Sequence, residues 1–340
     1  SWANAAQAAA DFITQNNKQS SPYRLYNTGN PENDYYECFT NNPVYNNEII
    51  LARSVWNTNQ VEKVFLPVGF TGSFSGNGRT NPTQNLVDAY EMNNGKRIDE
   101  NGSTYDAANP YKDRDPRLAQ TIFYQGMMWG RADKEERRAI DVRYNSDADK
   151  GVDYTSAMGG TYTGYYLKKF VNNISCKEPA TYPHAWMIFR YGEILLNAAE
   201  AYNEAEGPAK AYSYINEVRA RAGMPAYADM SQSELRERIR NERRIELAFE
   251  DHRFYDLKRW RMSDKLFDGN RNTPTALLTG LWPYKIYAPG DPDDEKWIFR
   301  RVRAIKRDLP LRFRNYNYYS SIDQAVLNDN SLLVKNPYQE

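Results

Sequence analysis

Histidine and cysteine, which most often build metal and redox sites, are scarce in this sequence: its 340 residues contain 2 of each. Cys38 and Cys176 are far apart in the chain and belong to no Cys-x-x-Cys motif. His184 and His252 are too few for a histidine-based zinc site without help from carboxylates. We therefore expect neither a metal site nor a cofactor site.

Long apolar runs and an excess of charge of one sign are also missing. No stretch approaches the roughly 18 consecutive apolar residues of a membrane-spanning helix. Lys+Arg and Asp+Glu number 44 each, so the sequence lacks the positive field typical of a nucleic-acid-binding protein. We expect no nucleic-acid partner, and we expect any charged ligand to meet a local group of side chains.

Short catalytic motifs are missing as well. The sequence contains no Gly-x-Ser-x-Gly and no His-Glu-x-x-His. The glycine-rich stretch from Gly69 to Gly78 lacks the following Lys-Ser/Thr of a phosphate-binding loop. Because many active sites have no short motif, these absences disfavour an enzyme only weakly.

Aromatic residues are abundant instead, with 27 Tyr and 7 Trp, most of them in segments rich in Asn, Gly, Pro and Thr. Tyr and Trp combine a flat apolar body with a polar edge, so copies on loops suit contact surfaces for sugars, peptides or proteins. The alternative for each ring is that it fills a small core beneath the loops.

The apolar pattern divides the chain into four regions. Residues 1–16 carry a small-residue helix pattern and are predicted to end a helical scaffold. Residues 17–183 are rich in turn signals and are predicted to form a loop-rich module. Residues 184–262 are predicted to be helical, and residues 263–340 to form a loop-rich C-terminal region that packs on the scaffold.

Residues 184–262 have the clearest periodicity. Apolar residues recur at helical spacing from Ala185 to Tyr202, which predicts one helix, and Gly207-Pro208 ends it and starts a second. Ser231 and Glu234 form a capping box that opens a third helix. Helix pairs of this length resemble tetratricopeptide units.

Beyond this region, two apolar runs, Leu281 to Tyr287 and Trp297 to Val302, predict a β hairpin with a long loop. The predicted fold class is therefore mainly α, with a tetratricopeptide-like helical scaffold, a large loop-rich module and minor β hairpins.

Two carboxylates in the third helix have alternative interpretations. Glu242 and Glu246 are four residues apart, so they share a helical face. Paired acids suit a hydrolase if they face each other across a cleft. Two acids on one half-buried face repel unless cations neutralise them. Since arginines are available, we favour a structural ion network of Arg190, Glu242, Glu246 and Arg253, and we assign no catalytic residue.

Several blocks of the sequence form a recognisable set: Arg190–Glu204, Ile215–Pro225, Ile239–Glu250 and Arg253–Trp260, with weaker ones at Asn47–Ile50, Asp113–Leu118 and Asn336–Tyr338. These blocks resemble those of the SusD/RagB family of nutrient-binding lipoproteins of the bacterial outer membrane. The resemblance runs over nearly the whole chain and is most specific between residues 190 and 260.

The resemblance implies a SusD-like fold and a non-catalytic protein that captures glycans at the cell surface. Its implied partner is a SusC-like TonB-dependent outer-membrane transporter. Family members begin with a lipidated cysteine and further helices, so the resemblance also implies membrane association through a lipid anchor that lies outside this chain. Glycan capture is the first hypothesis, peptide capture by a RagB-like protein the second, and a glycan-cleaving enzyme a distant third.

Candidate ligand-binding residues come from the loop-rich module, because flat rings can stack on sugar faces while amides and guanidinium groups bond the hydroxyls. Composition and rough placement, rather than any family motif, select Trp129, Tyr124, Tyr154, Tyr162, Tyr165 and Tyr166 as rings, with Arg79 and Asn81 as polar partners. We expect Trp129→Ala to abolish most ligand binding.

Overall fold

The computed structural model describes residues 1–41, 46–156, 159–304 and 309–338 of the chain. Within these ranges the regular structure is mainly helical, which confirms the predicted fold class. The α-helices are α1 (Trp2–Asn16), α2 (Asp34–Thr40), α3 (Gln60–Phe65), α4 (Gln84–Val87), α5 (Pro116–Thr121), α6 (Tyr191–Glu206), α7 (Pro208–Arg221), α8 (Gln232–Glu246), α9 (His252–Arg259), α10 (Ser263–Leu266) and α11 (Gln324–Asp329).

The strands form antiparallel pairs rather than one large sheet. The two long pairs join β1 (Ile49–Thr58) to β8 (Tyr182–Arg190) and β9 (Thr279–Lys285) to β10 (Trp297–Arg303). The short pairs join β2 (Ile122–Phe123) to β7 (Tyr166–Leu167), β3 (Met128–Trp129) to β4 (Arg138–Ala139) and β5 (Thr155–Ser156) to β6 (Gly159–Gly160). The predicted hairpin between residues 281 and 302 is confirmed as β9–β10.

The helical scaffold is built around α6, which packs against α1, α7 and α8. Alanine side chains at the contacts let the helices lie close together, and larger apolar side chains fill the remaining space. The shared core contains Ala6, Ala199, Ala201, Ala211, Ile215, Leu235 and Ile239. Helix α6 ends at Gly207, whose φ of 90° suits a residue without a Cβ, and Pro208 starts α7. The predicted capping box of Ser231 and Glu234 opens α8.

The predicted start of the first signature helix is wrong. Residues Tyr182–Arg190 form strand β8, and α6 begins only at Tyr191. The buried side chains of this segment, His184, Met187 and Arg190, are three residues apart, so burial alone would also fit a helix. The antiparallel pairing with β1 makes the segment a strand. The partner strand β1 is more than a hundred residues away in sequence, and its pairing decides the structure of a segment whose apolar spacing also fits a helix.

The loop-rich module has a core of its own. Its buried members are Leu66, Val68, Phe70, Phe123, Trp129, Ile140, Val142, Tyr166, Val171 and Cys176. Cys38 is buried in a separate cluster, and both cysteines are free thiols. Three of the predicted ligand-binding rings are therefore buried. Trp129, which is 7% exposed, and Tyr166 belong to this core, and the fully buried Tyr165 belongs to a neighbouring apolar cluster. The expectation that these rings lie on the surface does not hold.

Among the described residues, no helix combines the length and the apolar character needed to cross a bilayer.

The position of Trp129 predicts a loss of stability rather than a direct loss of ligand contacts. Its ring makes an edge contact with Phe123 at a centroid distance of 4.9 Å and another with Tyr36 at 6.2 Å. We expect Trp129→Ala to lower the free energy of unfolding by about 3–5 kcal/mol, because it leaves a large cavity. Chemical denaturation of the purified variant measures this change.

The matched control is Trp186→Ala, since Trp186 is 41% exposed on strand β8. We expect it to cost less than about 1.5 kcal/mol. Equal losses in the two variants would contradict the assignment of Trp129 to the core.

Candidate functional site

A buried ion network lies where the helices meet the loop-rich module. Its members come from blocks of sequence far apart in the chain, and the central ones are less than a tenth exposed. The carboxylates are Glu48, Glu91, Asp115, Glu242, Glu246 and Glu250, and the cations are Lys169, Arg117, Arg190, Arg219, Arg221 and Arg238. In this part of the network, among the described residues, six negative groups face six positive groups, and Arg238 extends the network to the partly exposed Glu100.

Glu246 is the centre of the network. Its Oε1 accepts hydrogen bonds from Arg190 and Arg221, and its Oε2 accepts one from Arg117 Nη1 at 2.9 Å. Its backbone carbonyl accepts a further hydrogen bond from the Tyr35 hydroxyl at 2.5 Å. Every oxygen of this fully buried residue therefore has a partner, as a charged group removed from water requires.

The arginines connect Glu246 to the rest of the chain. Arg190, the last residue of β8, donates from Nη1 to Glu48 at 2.5 Å and from Nε to Glu250 at 2.7 Å. Arg117, in α5, binds both oxygens of Asp115 and donates to Glu242 at 2.5 Å. Bidentate pairing of this kind is strong and specific in direction. The network therefore fixes α5, α8 and the β1–β8 pair relative to one another.

These contacts keep the carboxyl groups of Glu246 and Glu250 ionised. Burial by itself raises the pKa of the Glu246 carboxyl, but the guanidinium groups of Arg221, Arg190 and Arg117 outweigh it and hold that pKa well below its usual range. Burial likewise raises the pKa of Glu250, while Arg190 and the Lys169 ammonium at 2.6 Å lower it by a larger amount. Glu242 and Glu246 are both buried and do not face open solvent. A structural role therefore fits this pair better than a catalytic role.

Arg253 was assigned to this network from the sequence, and that assignment is wrong. Arg253 forms no ion pair with Glu242 or Glu246 in the described part of the chain, and its burial lowers its pKa. It is the second residue of α9 and follows directly after a turn in which Phe249 and Asp251 have positive φ angles. Because α8 ends at Glu246 and the chain turns before α9, Arg253 does not continue the helical face that Glu242 and Glu246 share.

Sequence reasoning missed Arg117, Arg219, Arg221 and Glu48 as network members. A signal was present, because Glu48 and Arg117 lie in two of the three weaker family blocks, and Arg219 and Arg221 both lie in the second signature block. These blocks meet in the structure around one set of charges.

A separate, open groove with a volume of about 510 Å³ lies between the loop that precedes α5 and the start of strand β10. Its lining combines aromatic rings with amide and ammonium groups: Ala108, Asn109, Pro110, Tyr111, Lys112, Gln125, Lys296, Trp297 and Phe299.

The rings of the groove have fixed orientations. Trp297 and Phe299 are two residues apart on β10, so they project from the same face of the hairpin. Phe299 makes an edge contact with Tyr111 at a centroid distance of 5.7 Å. Tyr111 in turn stacks on Tyr124 at 4.1 Å with an angle of 20° between the ring planes. Tyr165 supports Tyr111 from below, through an edge contact at 6.2 Å and a hydroxyl pair at 3.3 Å.

The amide side chains of Gln125 and Asn109 at the groove each use only one end of the amide in a hydrogen bond within the described part of the chain. Gln125 Oε1 accepts the backbone N–H of Val142 at 2.9 Å, and its amide NH₂ has no acceptor in the described part of the chain. Asn109 Nδ2 donates to Asp106 at 2.7 Å, which leaves its carbonyl oxygen to accept. Flat rings beside amide donors and acceptors can hold a ligand that has apolar faces and hydroxyl edges.

The structure brings only some of the predicted ligand-binding residues to this groove. Tyr124 and Tyr165 form the layer beneath Tyr111, whereas Trp129 and Tyr166 belong to the core of the loop-rich module. Tyr111, Trp297 and Phe299 were missed, because the groove joins segments nearly two hundred residues apart.

The other predicted residues lie elsewhere on the module. Tyr154 is half-buried and stacks on Tyr144 at 4.7 Å. Tyr162 is 41% exposed, and its backbone N–H donates to Asn81 Oδ1 at 3.1 Å. Asn81 also donates to the Gly78 carbonyl, so its amide stabilises a turn. Arg79 is exposed beside it.

The fold and these two features define a helical scaffold protein with a loop-borne groove, and comparison with known proteins identifies the class. The model of the SusD family matches residues 11–338, so the chain belongs to the SusD family. A SusD-like protein P2 from Formosa agariphila is 39% identical over 176 residues, which cover 46% of this chain and 34% of that protein.

Solved structures share the fold. A SusD-like protein from Bacteroides fragilis superposes with a TM-score of 0.74 at 24% identity and covers 99% of this chain and 62% of that one. A SusD-like carbohydrate-binding protein from the same organism superposes with a TM-score of 0.67 at 26% identity and covers 97% of this chain and 61% of that one. The chain thus spans about a third of the length of the curated relative and about three-fifths of these structures.

Removing the charge at the centre of the network should destabilise the fold. We expect Glu246→Gln to lower the free energy of unfolding by about 3–5 kcal/mol, because Arg190, Arg221 and Arg117 lose a buried counter-charge. The control is Glu237→Gln in the same helix, whose side chain is 57% exposed and forms an ion pair with Arg240 on the surface. Similar unfolding curves for the two variants would contradict a structural role for Glu246.

The same network predicts loss of stability in acid. The pKa values of Glu246 and Glu250 are lower in the folded state than the value of about 4.3 in an unfolded chain, so the folded state binds fewer protons. Their contribution is complete above this value and is lost as the pH falls below it. Unfolding measured between pH 6 and pH 3 should show a shallower decline for Glu246→Gln than for the unchanged protein.

Gly192 is predicted to be required for the network. A Cβ at this position in the first turn of α6 would lie 2.5 Å from Arg190 Nη1 and 3.0 Å from Glu48 Oε1. Although alanine favours helix, we expect Gly192→Ala to lower the free energy of unfolding by roughly 1–3 kcal/mol through overpacking. Gly207→Ala is the control for glycine loss without a clash, since a Cβ there meets no atom within 4 Å and only its positive φ is strained. Unfolding by denaturant checks both, and a stabilised Gly192→Ala would contradict the prediction.

Proposed function

We propose that this chain is the glycan-binding part of an outer-membrane nutrient uptake protein, which captures an oligosaccharide or polysaccharide without cleaving it. The observation that carries the proposal is the groove in which Tyr111, Trp297 and Phe299 are held beside Asn109 and Gln125.

The physical basis is the pairing of ring faces with amide groups. Sugars present apolar C–H faces and polar hydroxyl edges, and each ring that stacks on such a face contributes on the order of 1 kcal/mol. Since Tyr111 is clamped between Tyr124 and Phe299, little side-chain entropy is lost when a ligand binds to it. The relative from Bacteroides fragilis that is 26% identical is described as a carbohydrate-binding protein, which supports the same ligand class.

A binding role without catalysis is part of the proposal. Glycoside hydrolysis uses two carboxyl groups on opposite sides of the scissile bond. The side chains that line the groove in the described part of the chain include no carboxylate. Glu242 and Glu246, the paired acids suggested by the sequence, are buried and bound by arginines.

Delivery of the glycan to a SusC-like TonB-dependent transporter, and attachment to the cell surface by a lipid anchor outside these residues, complete the proposal. Both rest on membership in the SusD family. Co-purification of the tagged full-length protein with a TonB-dependent transporter from outer membranes tests them, and recovery of the protein without any transporter from cross-linked membranes would argue against delivery.

The groove predicts which ring matters for binding. We expect Trp297→Ala to weaken glycan binding about tenfold, the equivalent of roughly 1.4 kcal/mol, because it removes a half-buried ring that lines the groove. Affinity electrophoresis in gels that contain laminarin, xylan, polygalacturonate or amylopectin, followed by isothermal titration with the retained glycan, measures the change. Trp186→Ala is the matched control, because Trp186 is exposed on β8 and does not line the groove.

Three outcomes count against the proposal. Unchanged affinity in a folded Trp297→Ala variant would move the site away from the groove. Retention of peptides but of no glycan would favour the peptide-binding alternative. Time-dependent release of shorter sugars from a bound glycan would show that the protein is an enzyme.

A further inference from the structure

The β9–β10 hairpin carries aromatic residues on both of its faces. Directly paired residues in an antiparallel pair lie on the same face, and successive residues alternate. The register pairs Trp297 with Lys285 and Phe299 with Pro283, and this face forms the groove. The register also pairs Ile298 with Tyr284 and Arg300 with Trp282, so these four side chains form the opposite face.

The opposite face meets a second group of rings from the loop-rich module. Tyr154 contacts Trp282 at a centroid distance of 5.4 Å and stacks on Tyr144 at 4.7 Å, with an angle of 23° between the two ring planes. Arg300 lies over the ring of Tyr284 at 5.1 Å. Trp282 is 4% exposed and holds the group in place, whereas Tyr144, Tyr154 and Tyr284 are only half-buried and Arg300 is exposed.

The two faces are joined at the tip of the hairpin. Trp297 and Ile298 are adjacent residues that project to opposite sides, so the two surfaces are separated only by the thickness of the hairpin, about 10 Å. Tyr287, in the loop after β9, is 85% exposed at this end. The half-buried rings of Trp297 and Tyr284 therefore lie on opposite faces near the tip, and the exposed ring of Tyr287 lies at the same end.

We propose that Tyr144, Tyr154, Tyr284 and Arg300 form a second glycan subsite on the reverse face of the β9–β10 hairpin, so that one long glycan chain contacts both faces. This inference rests on the proposed function, because it assigns a further stretch of the same ligand to a second surface.

The stacked rings and the exposed charge on the reverse face of the hairpin are features of a binding site rather than of a core. Stacking of Tyr144 on Tyr154 fixes both rings, in the same way that Tyr124 fixes Tyr111 in the groove. Arg300 forms no ion pair in the described part of the chain, so its guanidinium can bond sugar hydroxyls or a uronate. A core needs neither an exposed guanidinium nor an open tyrosine face.

A second subsite makes the binding affinity depend on the length of the glycan. A short oligosaccharide fills the groove alone, whereas a polymer that also reaches the reverse face gains affinity from the second contact, because that contact is intramolecular. Chain length should therefore separate the two surfaces experimentally.

The experiment compares short and long forms of the same glycan on the folded protein. The probe pairs are laminaritetraose with laminarin, xylotetraose with xylan, and trigalacturonate with polygalacturonate, measured by isothermal titration and affinity electrophoresis. We expect Tyr144→Ala combined with Tyr284→Ala to weaken binding of the polymer about tenfold and to leave the tetra- or trisaccharide within about twofold. Trp297→Ala should weaken both. Tyr255→Ala is the control, because Tyr255 is 66% exposed on α9 and contacts neither surface.

Circular dichroism and thermal unfolding first establish that each variant is folded, and Tyr144→Phe with Tyr284→Phe, which keeps the rings, should restore polymer binding. Polymer affinity that is unchanged in the double alanine variant, together with its loss in Trp297→Ala, would overturn the second subsite and leave the proposed function intact. Equal loss of short and long ligands in the double variant would overturn the two-face arrangement. Failure of the unchanged protein to bind any of these probes would overturn the proposed function and the second subsite together.

Discussion

The fold depends on the neutralisation of Glu246 inside the protein. A carboxylate without water is tolerable only when cations and hydrogen-bond donors surround it, and Arg117, Arg190 and Arg221 come from three separate parts of the chain to do so. If one of these arginines were displaced, an uncompensated charge would remain buried. The network therefore favours one arrangement of helices and loops over others that bury similar apolar area.

The ligand-facing parts of the molecule depend on this arrangement. Arg117 lies in α5, which continues directly into β2, and Tyr124 follows that strand and supports the groove. The buried hydroxyl of Tyr165 donates to Gln84 at 2.5 Å and holds the same layer from below. Rings that are fixed in this way present their faces without further ordering, so ligand binding loses less entropy than it would with mobile loops.

The abundance of tyrosine has two different structural consequences here. Tyr35 and Tyr166 are buried, and their hydroxyls donate to backbone carbonyls, which satisfies the polar end of each side chain. Tyr111 and Tyr284 instead keep part of their surface open beside polar groups. Both kinds occur in segments of similar composition, so composition alone could not separate a core ring from a surface ring.

Local sequence patterns were sufficient to predict the helices α1, α7 and α8, the capping box at Ser231 and the β9–β10 hairpin, because these features depend on neighbours within one or two turns. The pairing of Glu246 with arginines was also predictable from charge balance, although Arg253 was the wrong partner. Tertiary structure decided the rest. The strand of residues 182–190, the burial of Trp129 and the groove at Trp297 all arise from contacts between segments distant in sequence, whose geometry is set by the long-range packing of the chain rather than by local periodicity.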